Sequence, residues 1–124
     1  MTAVELMTLA IDCGGSSIKA SVLDGKGTLH ANPISTPTPY PLSPTKLIDT
    51  FQELATQLPP FDRVTVGIPG MIRHGVVVHT PHYINTRGPL TKVDPDLLSG
   101  WRGFDMQSAV AKHFNKPALV MNDA

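Results

Sequence analysis

Residues 11–24 read IDCGGSSIKASVLD, and this stretch decides the fold. The apolar run over residues 4–12 predicts a strand that ends at a glycine-rich segment. Residues 18–23 alternate apolar and polar side chains with period two, which predicts a second strand. Residues 24–27, Asp-Gly-Lys-Gly, form a tight hairpin signal, and residues 28–35 supply a third strand. The chain therefore opens as a three-stranded meander.

The segment that follows is rich in proline. The chain has 12 prolines, about twice the average usage, and residues 36–44 read TPTPYPLSP. Few backbone donors remain there, so an extended or polyproline II path is expected. Such a segment suits either a ligand for an SH3-type domain or a stiff connector into a helix. Ser43 as N-cap and Pro44 at the first helical position favour the connector.

The remaining elements follow from periodicity and from turn residues. An apolar stripe predicts a helix that ends at Pro59-Pro60; its members are Leu47, Ile48, Phe51, Leu54, Ala55 and Leu58. Further strands are predicted over residues 63–68, 71–73, 75–79 and 118–121, with a long loop over 80–103 and a helix capped by Asp105. A meander followed by β-α units predicts an α/β fold, with a ribonuclease-H-like mixed five-stranded sheet and flanking helices.

Composition excludes several classes of protein. The 124 residues fit one domain, and ten basic residues balance ten acidic ones, so neither nucleic acid nor an anionic membrane is expected as a partner. A single cysteine forms no intrachain disulfide and no thiolate zinc site. No apolar run approaches the roughly 18 residues of a membrane span, and the amino terminus lacks a secretory pattern. A cytoplasmic location is the expectation.

The segment that we call the glycine turn, residues 13–17 (CGGSS), is the strongest candidate site. It matches neither a Walker A loop nor G-x-G-x-x-G. Glycine backbone and neighbouring donors suit a polyphosphate group, and a carboxylate suits hydrated magnesium. The donors are Gly14, Gly15, Ser16, Ser17 and Lys19, and the carboxylate is that of Asp12. The alternative is a plain hairpin turn, in which Gly-Gly and Ser are common.

Other candidates have structural alternatives, which the residues taken alone favour. Asn122-Asp123 after a strand suits sugar hydroxyls and a general base, or simple turn chemistry. The turn at residues 67–70, GIPG, is interpreted as a turn that merely ends the strand, unless other residues indicate a function for it. Three histidines invite a metal site, but solvated side chains are favoured because no carboxylate or thiolate lies between Asp62 and Asp94; they are His74, His79 and His82. Cys13 suits either a mildly reactive thiol in the glycine turn or a small buried filler. Trp101 suits either a sugar-stacking surface or an anchor for the long loop.

In order along the chain, five segments resemble the ROK family of bacterial sugar kinases, in the actin/hexokinase/Hsp70 ATPase superfamily, and polyphosphate glucokinases in particular. The segments are residues 11–24, the connector 36–44, VGIPGMIRHGVVVHT (66–80), WRGFD (101–105) and LVMNDA (119–124). The resemblance spans essentially the whole chain but only the first part of the family's length. It implies that residues 1–124 form an N-terminal lobe whose C-terminal lobe is absent from this sequence.

The resemblance also implies roles for single residues. Gly14, Gly15, Ser16, Ser17 and Lys19 would hold the terminal phosphates of ATP or polyphosphate, with Mg²⁺ near Asp12. Gly70, Thr80 and Asn122 would line the hexose site, and Asp123 would be the base for the attacking 6-hydroxyl. Because transfer needs charge neutralisation from both lobes, the isolated chain is expected to be inactive. An exposed interlobe face predicts a homo-oligomer. The alternative function is a non-catalytic sugar-binding or regulatory module of the same fold.

Overall fold

The computed structural model describes residues 5–123. Seven strands and three helices follow one another in that part of the chain: β1 Thr8–Cys13, β2 Ser17–Leu23, β3 Ile34–Pro37, α1 Pro44–Ala55, β4 Arg63–Ile68, β5 Met71–Arg73, β6 Val76–His79, α2 Pro95–Trp101, α3 Met106–Phe114 and β7 Ala118–Asn122. Five strands form the main sheet, in the order β3-β2-β1-β4-β7, and β5 pairs with β6 in a separate hairpin. The predicted mixed five-stranded sheet is confirmed.

The direction of the strands determines where the site lies. β1, β4 and β7 are mutually parallel, whereas β2 and β3 run antiparallel to their neighbours. The carboxyl ends of three strands therefore meet at one edge of the sheet, as ligand sites in open α/β sheets require. The glycine turn, the turn after Ile68 and the Asn122-Asp123 pair all follow these ends.

The two faces of the sheet differ in burial. One face carries the fully buried side chains of the strands, which pack with the apolar stripes of α1 and α3 in one core that includes Leu9, Ile11, Val66, Leu47, Phe51 and Val110. The alternate positions point to the other face, because successive side chains of a strand point to opposite sides. Asp12, Lys19 and Met121 lie on this second face and are exposed.

Helix α1 begins as its sequence predicts. The Ser43 side chain accepts a hydrogen bond from the Lys46 amide, and Pro44 occupies the first turn. A neutral N-cap of this kind contributes about 1 kcal/mol to a helix. The connector is confirmed as irregular chain between β3 and α1, although its first two residues belong to β3. Helix α3 likewise begins after Asp105, whose carboxylate accepts from the Ser108 amide.

The prediction of a structureless loop over residues 80–103 is wrong at its end, because α2 forms there. Asp94 caps this helix by accepting from the Asp96 and Leu97 amides, and Pro95 stands at its start. Only Trp101 of the seven helical residues is buried, so the segment shows no apolar stripe that would reveal a helix. The sequence signal for this helix is the Asp94-Pro95 pair, an N-cap followed by proline.

The first and third strands differ from their predicted ranges by several residues. The first strand begins at Thr8 rather than at residue 4, and residues 1–4 lie outside the described part of the chain. The third strand forms at Ile34–Pro37 instead of residues 28–35. Leu29 makes only an isolated bridge to Leu23, because the Asp24 carboxylate ties the turn by accepting from the Lys26 and Thr28 amides.

Across residues 5–123, the helices are all too short or too polar to cross a bilayer.

Candidate phosphate and sugar site

Two carboxylates flank Gly67 at the carboxyl edge of the sheet. Asp12 pairs with Gly67 in the β1–β4 register, and the Asp123 amide donates to the Ile68 carbonyl at 3.2 Å. A Cβ placed on Gly67 would lie 3.0 Å from the Asp123 Cβ and 3.8 Å from Asp12 Oδ1. Asp12 and Asp123 therefore both lie beside Gly67, and a Cβ added at this position would be tight against Asp123.

The glycine turn is closed by its own backbone. The Gly14 amide donates to the Ser17 carbonyl at 2.9 Å. Its other carbonyls accept from outside the turn. Gly14 O accepts from the Tyr83 hydroxyl at 2.8 Å and from the Thr38 hydroxyl at 3.1 Å, and Gly15 O accepts from the Tyr40 hydroxyl at 2.6 Å. The turn is thus fixed by side chains from the connector and from the segment after β6.

The predicted donors lie around this turn. Ser16 and Lys19 are exposed, and Gly14, Gly15 and Ser17 are half-buried. Lys19 pairs with Asp12 in the β1–β2 register, and both lie on the second face of the sheet. The structure therefore brings the glycine turn, Lys19, Asp12 and Asp123 to one edge.

The turn after β4 contains Gly70 and is held by hydrogen bonds from Asn122 and Thr80. Gly70 has φ +130°, and a Cβ there would lie 2.3 Å from the His79 carbonyl oxygen. The Asn122 side-chain amide donates to the Gly70 carbonyl, which places Asn122 beside this turn. Thr80 is fully buried, and its hydroxyl donates to the Pro69 carbonyl at 2.7 Å. Thr80 therefore stabilises the turn through a buried hydrogen bond. Its contact with a sugar stays a prediction.

The three histidines have different surroundings. His74 and His79 are exposed, as predicted for solvated side chains. His82 is half-buried, and its Nδ1 atom is buried with no hydrogen-bond partner among residues 5–123. That atom would lie 3.1 Å from a Cβ on Gly15, so the His82 ring covers one side of the glycine turn. The solvated interpretation is wrong for His82. Residues 5–123 contain no cluster of three or more His, Cys, Asp or Glu suited to a metal ion.

Trp101 serves as an anchor, one of its two predicted roles. Its ring is 1% exposed, and its indole Nε1 donates to the Leu42 carbonyl at 2.8 Å. The ring also packs on Tyr83, with centroids 5.5 Å apart. The sugar-stacking alternative is wrong, because no face of the indole is open to a ligand.

Cys13 is the buried filler that the sequence predicts, and it lies next to the charged edge. Burial raises the pKa of its thiol well above the usual value, and the nearby Asp12 and Asp123 carboxylates raise it further, whereas a hydrogen bond with Tyr83 lowers it. The pKa of the Tyr83 hydroxyl is also raised, first by burial and then by neighbouring groups that include both carboxylates. Cys13 and Tyr83 thus stay protonated beneath the two aspartates.

The buried thiol predicts a loss of stability in alkaline solution. An unfolded thiol ionises near pH 8.5, whereas the folded chain holds the Cys13 proton to higher pH, so the unfolded state releases its proton first and stability falls as pH rises. From pH 8 to pH 10 we expect a loss of about 1–2 kcal/mol through Cys13. Urea unfolding over this range, compared between the chain and Cys13→Ala, measures the loss. Parallel pH profiles for the two proteins would contradict this expectation.

Several residues of the site escaped the sequence prediction. Gly67, Thr38, Tyr40 and Tyr83 all contact the candidate donors or carboxylates. Tyr40 and Tyr83 are separated by 43 positions and meet only in the folded chain, with ring centroids 6.3 Å apart. The only sequence signal was that these are the chain's two tyrosines, within the proline connector and the long segment after β6.

Known proteins share this sequence and this architecture. The ROK family model matches residues 8–124. N-acetylmannosamine kinase of Pasteurella multocida (strain Pm70) is 29% identical over 116 residues, which cover 93% of this chain and 34% of the relative. N-acetylmannosamine kinase of Vibrio cholerae (strain M66-2) is 28% identical over 120 residues, which cover 96% of this chain and 37% of the relative. The chain thus spans about a third of the length of these curated relatives.

Solved structures agree with the sequence matches. The inorganic polyphosphate/ATP-glucomannokinase of Arthrobacter sp. strain KM superposes with a TM-score of 0.73 at 27% identity, over 96% of this chain and 45% of that one. A ROK family glucokinase of Streptomyces griseus, in complex with glucose and AMPPNP, gives a TM-score of 0.70 at 21% identity, over 95% of this chain and 33% of that one, and shows the shared fold. On the family match over nearly its whole length, the chain belongs to the ROK family.

Proposed function

We propose that the chain is the N-terminal lobe of a hexose kinase that transfers a phosphoryl group from ATP or polyphosphate to the sugar 6-hydroxyl. The observation that carries the proposal is the placement of Asp12 and Asp123 beside Gly67, at the same edge of the sheet as the glycine turn. A phosphoryl donor needs such an anion-binding turn, and a hydroxyl acceptor needs a nearby base. The relatives named as N-acetylmannosamine kinase and glucomannokinase support this class of reaction.

In this proposal each group has one task. The exposed side of the glycine turn and Lys19 bind the terminal phosphates, while Asn122 and the Gly70 turn orient the hexose. Asp123 accepts the proton of the 6-hydroxyl as that oxygen forms its bond to phosphorus. The bond from phosphorus to the bridging oxygen breaks, and the shortened donor leaves with that electron pair. Most of the rate enhancement then comes from positioning and from charge neutralisation.

The carboxylates fit a magnesium ion. Mg²⁺ binds through one or two carboxylates plus phosphate oxygens and keeps several waters. Two aspartates lie beside Gly67, and residues 5–123 form no group of three or more ligand residues there. Asp12 would hold the ion through water, and Asp123 would face the sugar. When bound, the ion would neutralise charge on the donor phosphates.

The hexose and the donor belong to the proposal as well. We infer glucose as the hexose, on the resemblance of the connector 36–44 and of residues 101–105 to polyphosphate glucokinases. The relatives are named for N-acetylmannosamine and for glucomannokinase activity, so the panel of sugars to be assayed includes mannose and N-acetylmannosamine. The donors to be compared are ATP and polyphosphate.

The second candidate function is a non-catalytic sugar-binding or regulatory module. A ROK family transcriptional regulator shares the fold, with a TM-score of 0.66 at 16% identity. Asp123 favours the enzyme, because a sugar receptor needs no base at that position. Assays of hexose phosphorylation by a protein of full ROK length that contains this lobe decide between the two functions. We expect transfer to at least one hexose; sugar binding with no transfer from either donor would favour the module.

The isolated 124-residue chain is expected to bind ligands without turning them over, because the donor phosphates would be held from one side only. Glucose phosphorylation assays with ATP and with polyphosphate measure this directly. Clear turnover by the chain alone would show that one lobe suffices and would contradict the division of the site between two lobes.

We further propose that the isolated lobe self-associates through the second face of its sheet, which carries Asp12, Lys19 and Met121. Leu119 and Met121 lie on that face and are 49% and 43% exposed, and apolar surface of this kind favours association. Light scattering over a range of concentrations is expected to show a reversible rise in mass. Leu119→Lys should abolish that rise. A clean monomer at high concentration would contradict the proposal.

A further inference from the structure

We propose that Tyr40 and Tyr83 are positioning residues of the phosphate site: their hydroxyls hold the carbonyls of the glycine turn inward, so that its amides face the donor. The inference rests on the proposed function, because it gives the turn a phosphate to bind. It adds two residues from distant segments, which neither touch the reacting atoms nor belong to the turn.

The hydrogen bonds fix the orientation of consecutive peptide groups. Gly14 O receives two hydroxyl donors, which satisfy both of its lone pairs, and Gly15 O receives the Tyr40 hydroxyl at 2.6 Å. The next carbonyl, Ser16 O, accepts from the Thr38 amide at 2.9 Å. Three successive carbonyl oxygens therefore point toward the protein and away from the place of the donor.

Because peptide groups are planar and trans, the direction of these carbonyls also fixes the direction of the neighbouring amides. In each peptide group the N–H points opposite to the carbonyl, so inward carbonyls of Gly14 and Gly15 turn the amides of Gly15 and Ser16 outward. Neither amide donates to any group within residues 5–123. Outward amides with their carbonyls withdrawn form a concave anion-binding nest. A turn with the reverse orientation would present carbonyl oxygens and repel phosphate.

Side-chain hydroxyls are needed because the turn itself is permissive. Two adjacent glycines reach many backbone conformations, so the sequence GGS alone does not select the anion-binding one. Thr38 and Tyr40 supply hydroxyls from the connector, and Tyr83 supplies one from the segment after β6. Removing either tyrosine hydroxyl frees the turn on one side.

The tyrosines are themselves held firmly. Tyr83 is fully buried and packs on Trp101, whose indole is fastened to the Leu42 carbonyl. The Tyr40 ring covers Gly88, where an added Cβ would lie 3.0 Å from it. Burial raises the pKa of both hydroxyls, so each remains a protonated donor at neutral pH. The proline connector and the segment after β6 thus act together on the glycine turn.

The test is a titration of the ¹⁵N-labelled chain with magnesium tripolyphosphate, followed at the Gly15 and Ser16 amides. The variants are Tyr83→Phe and the less buried Tyr40→Phe, each of which removes one hydroxyl and keeps the ring. Thr50→Val is the matched control, since it removes a buried hydroxyl that donates to the Lys46 carbonyl at 2.9 Å within α1. The ¹⁵N heteronuclear NOE of residues 14–16 reports the mobility of the turn independently of any ligand.

We expect each tyrosine variant to bind tripolyphosphate roughly 3–10-fold more weakly, as the loss of one hydrogen bond predicts. The heteronuclear NOE of residues 14–16 should also fall, whereas Thr50→Val should match the unaltered chain in both measurements. Tyrosine variants indistinguishable from Thr50→Val would overturn the inference and leave the proposed function standing. If the unaltered chain shows no chemical shift change with tripolyphosphate, the proposed phosphate site is itself wrong. If the heteronuclear NOE of residues 14–16 is unchanged in the tyrosine variants, the positioning role is wrong.

Discussion

Replacing Asp123 by Asn is expected to lower kcat for hexose phosphorylation by about 10²–10⁴-fold, the usual contribution of a general base. The setting is a protein of full ROK length that contains this lobe. Asn keeps the shape of the side chain and its capacity for hydrogen bonds but accepts no proton from the 6-hydroxyl. Sugar affinity should change little, because in the proposed site Asn122 and the Gly70 turn would still orient the hexose. Steady-state kinetics combined with a sugar-binding titration separate the two effects.

Asp49→Asn is the matched control for that experiment. Asp49 is an exposed carboxylate on α1, away from the carboxyl edge of the sheet. The same chemical change there should leave kcat and sugar affinity as they are. Unchanged turnover in Asp123→Asn would refute the assignment of the base, and a loss of sugar binding in step with kcat would make Asp123 a binding residue only.

Gly70→Ala is expected to lower the free energy of unfolding by more than about 3 kcal/mol, as overpacking and backbone strain add. The backbone at Gly70 has φ +130°, and its Cβ would overlap the His79 carbonyl oxygen at 2.3 Å and approach the Thr80 Cα at 2.9 Å. Both obstacles are backbone atoms, so no side-chain rotation relieves the overlap. Urea unfolding of the 124-residue chain measures the loss.

Gly103→Ala separates the overlap from the strain of a positive φ. Gly103 has φ +76°, and no atom lies within 4 Å of a Cβ built there. It should cost only the conformational penalty, roughly 1–2 kcal/mol. Equal losses in the two variants would show that the chain around residue 70 opens readily, in which case the Gly70 turn is too soft to orient a sugar.

The elements that periodicity determines were predictable from sequence. Residues 63–68 and the capped start of α1 match the structure, because burial of one face imposes alternation on a strand and a stripe on a helix. Helix α2 was missed, since its burial falls on Trp101 alone. The third strand was displaced because the side chain of Asp24, rather than strand pairing, organises the chain after β2.

Some features of the site also follow from the sequence, and others depend on contacts between remote segments. Parallel pairing brings the ends of β1, β4 and β7 to one edge, so the placement of Asp12 and Asp123 beside Gly67 follows from the order of strands. The roles of Tyr40 and Tyr83 depend on contacts between segments that are remote in sequence, and no local pattern encodes them. The importance of Gly67 likewise appears only when its neighbours on both adjacent strands are known.

The central claim is that the carboxyl edge of this sheet binds a phosphoryl donor at the glycine turn and a hexose at Asp123. A crystal structure of a full-length protein containing this lobe, with a hexose and a non-hydrolysable donor, tests it most directly. We expect the terminal phosphates at the Gly15 and Ser16 amides, and the 6-hydroxyl about 2.6–3.2 Å from the Asp123 carboxylate. A donor seated elsewhere, such as the groove lined by Arg63, Thr65 and Leu119, or a sugar turned away from Asp123, would contradict the claim.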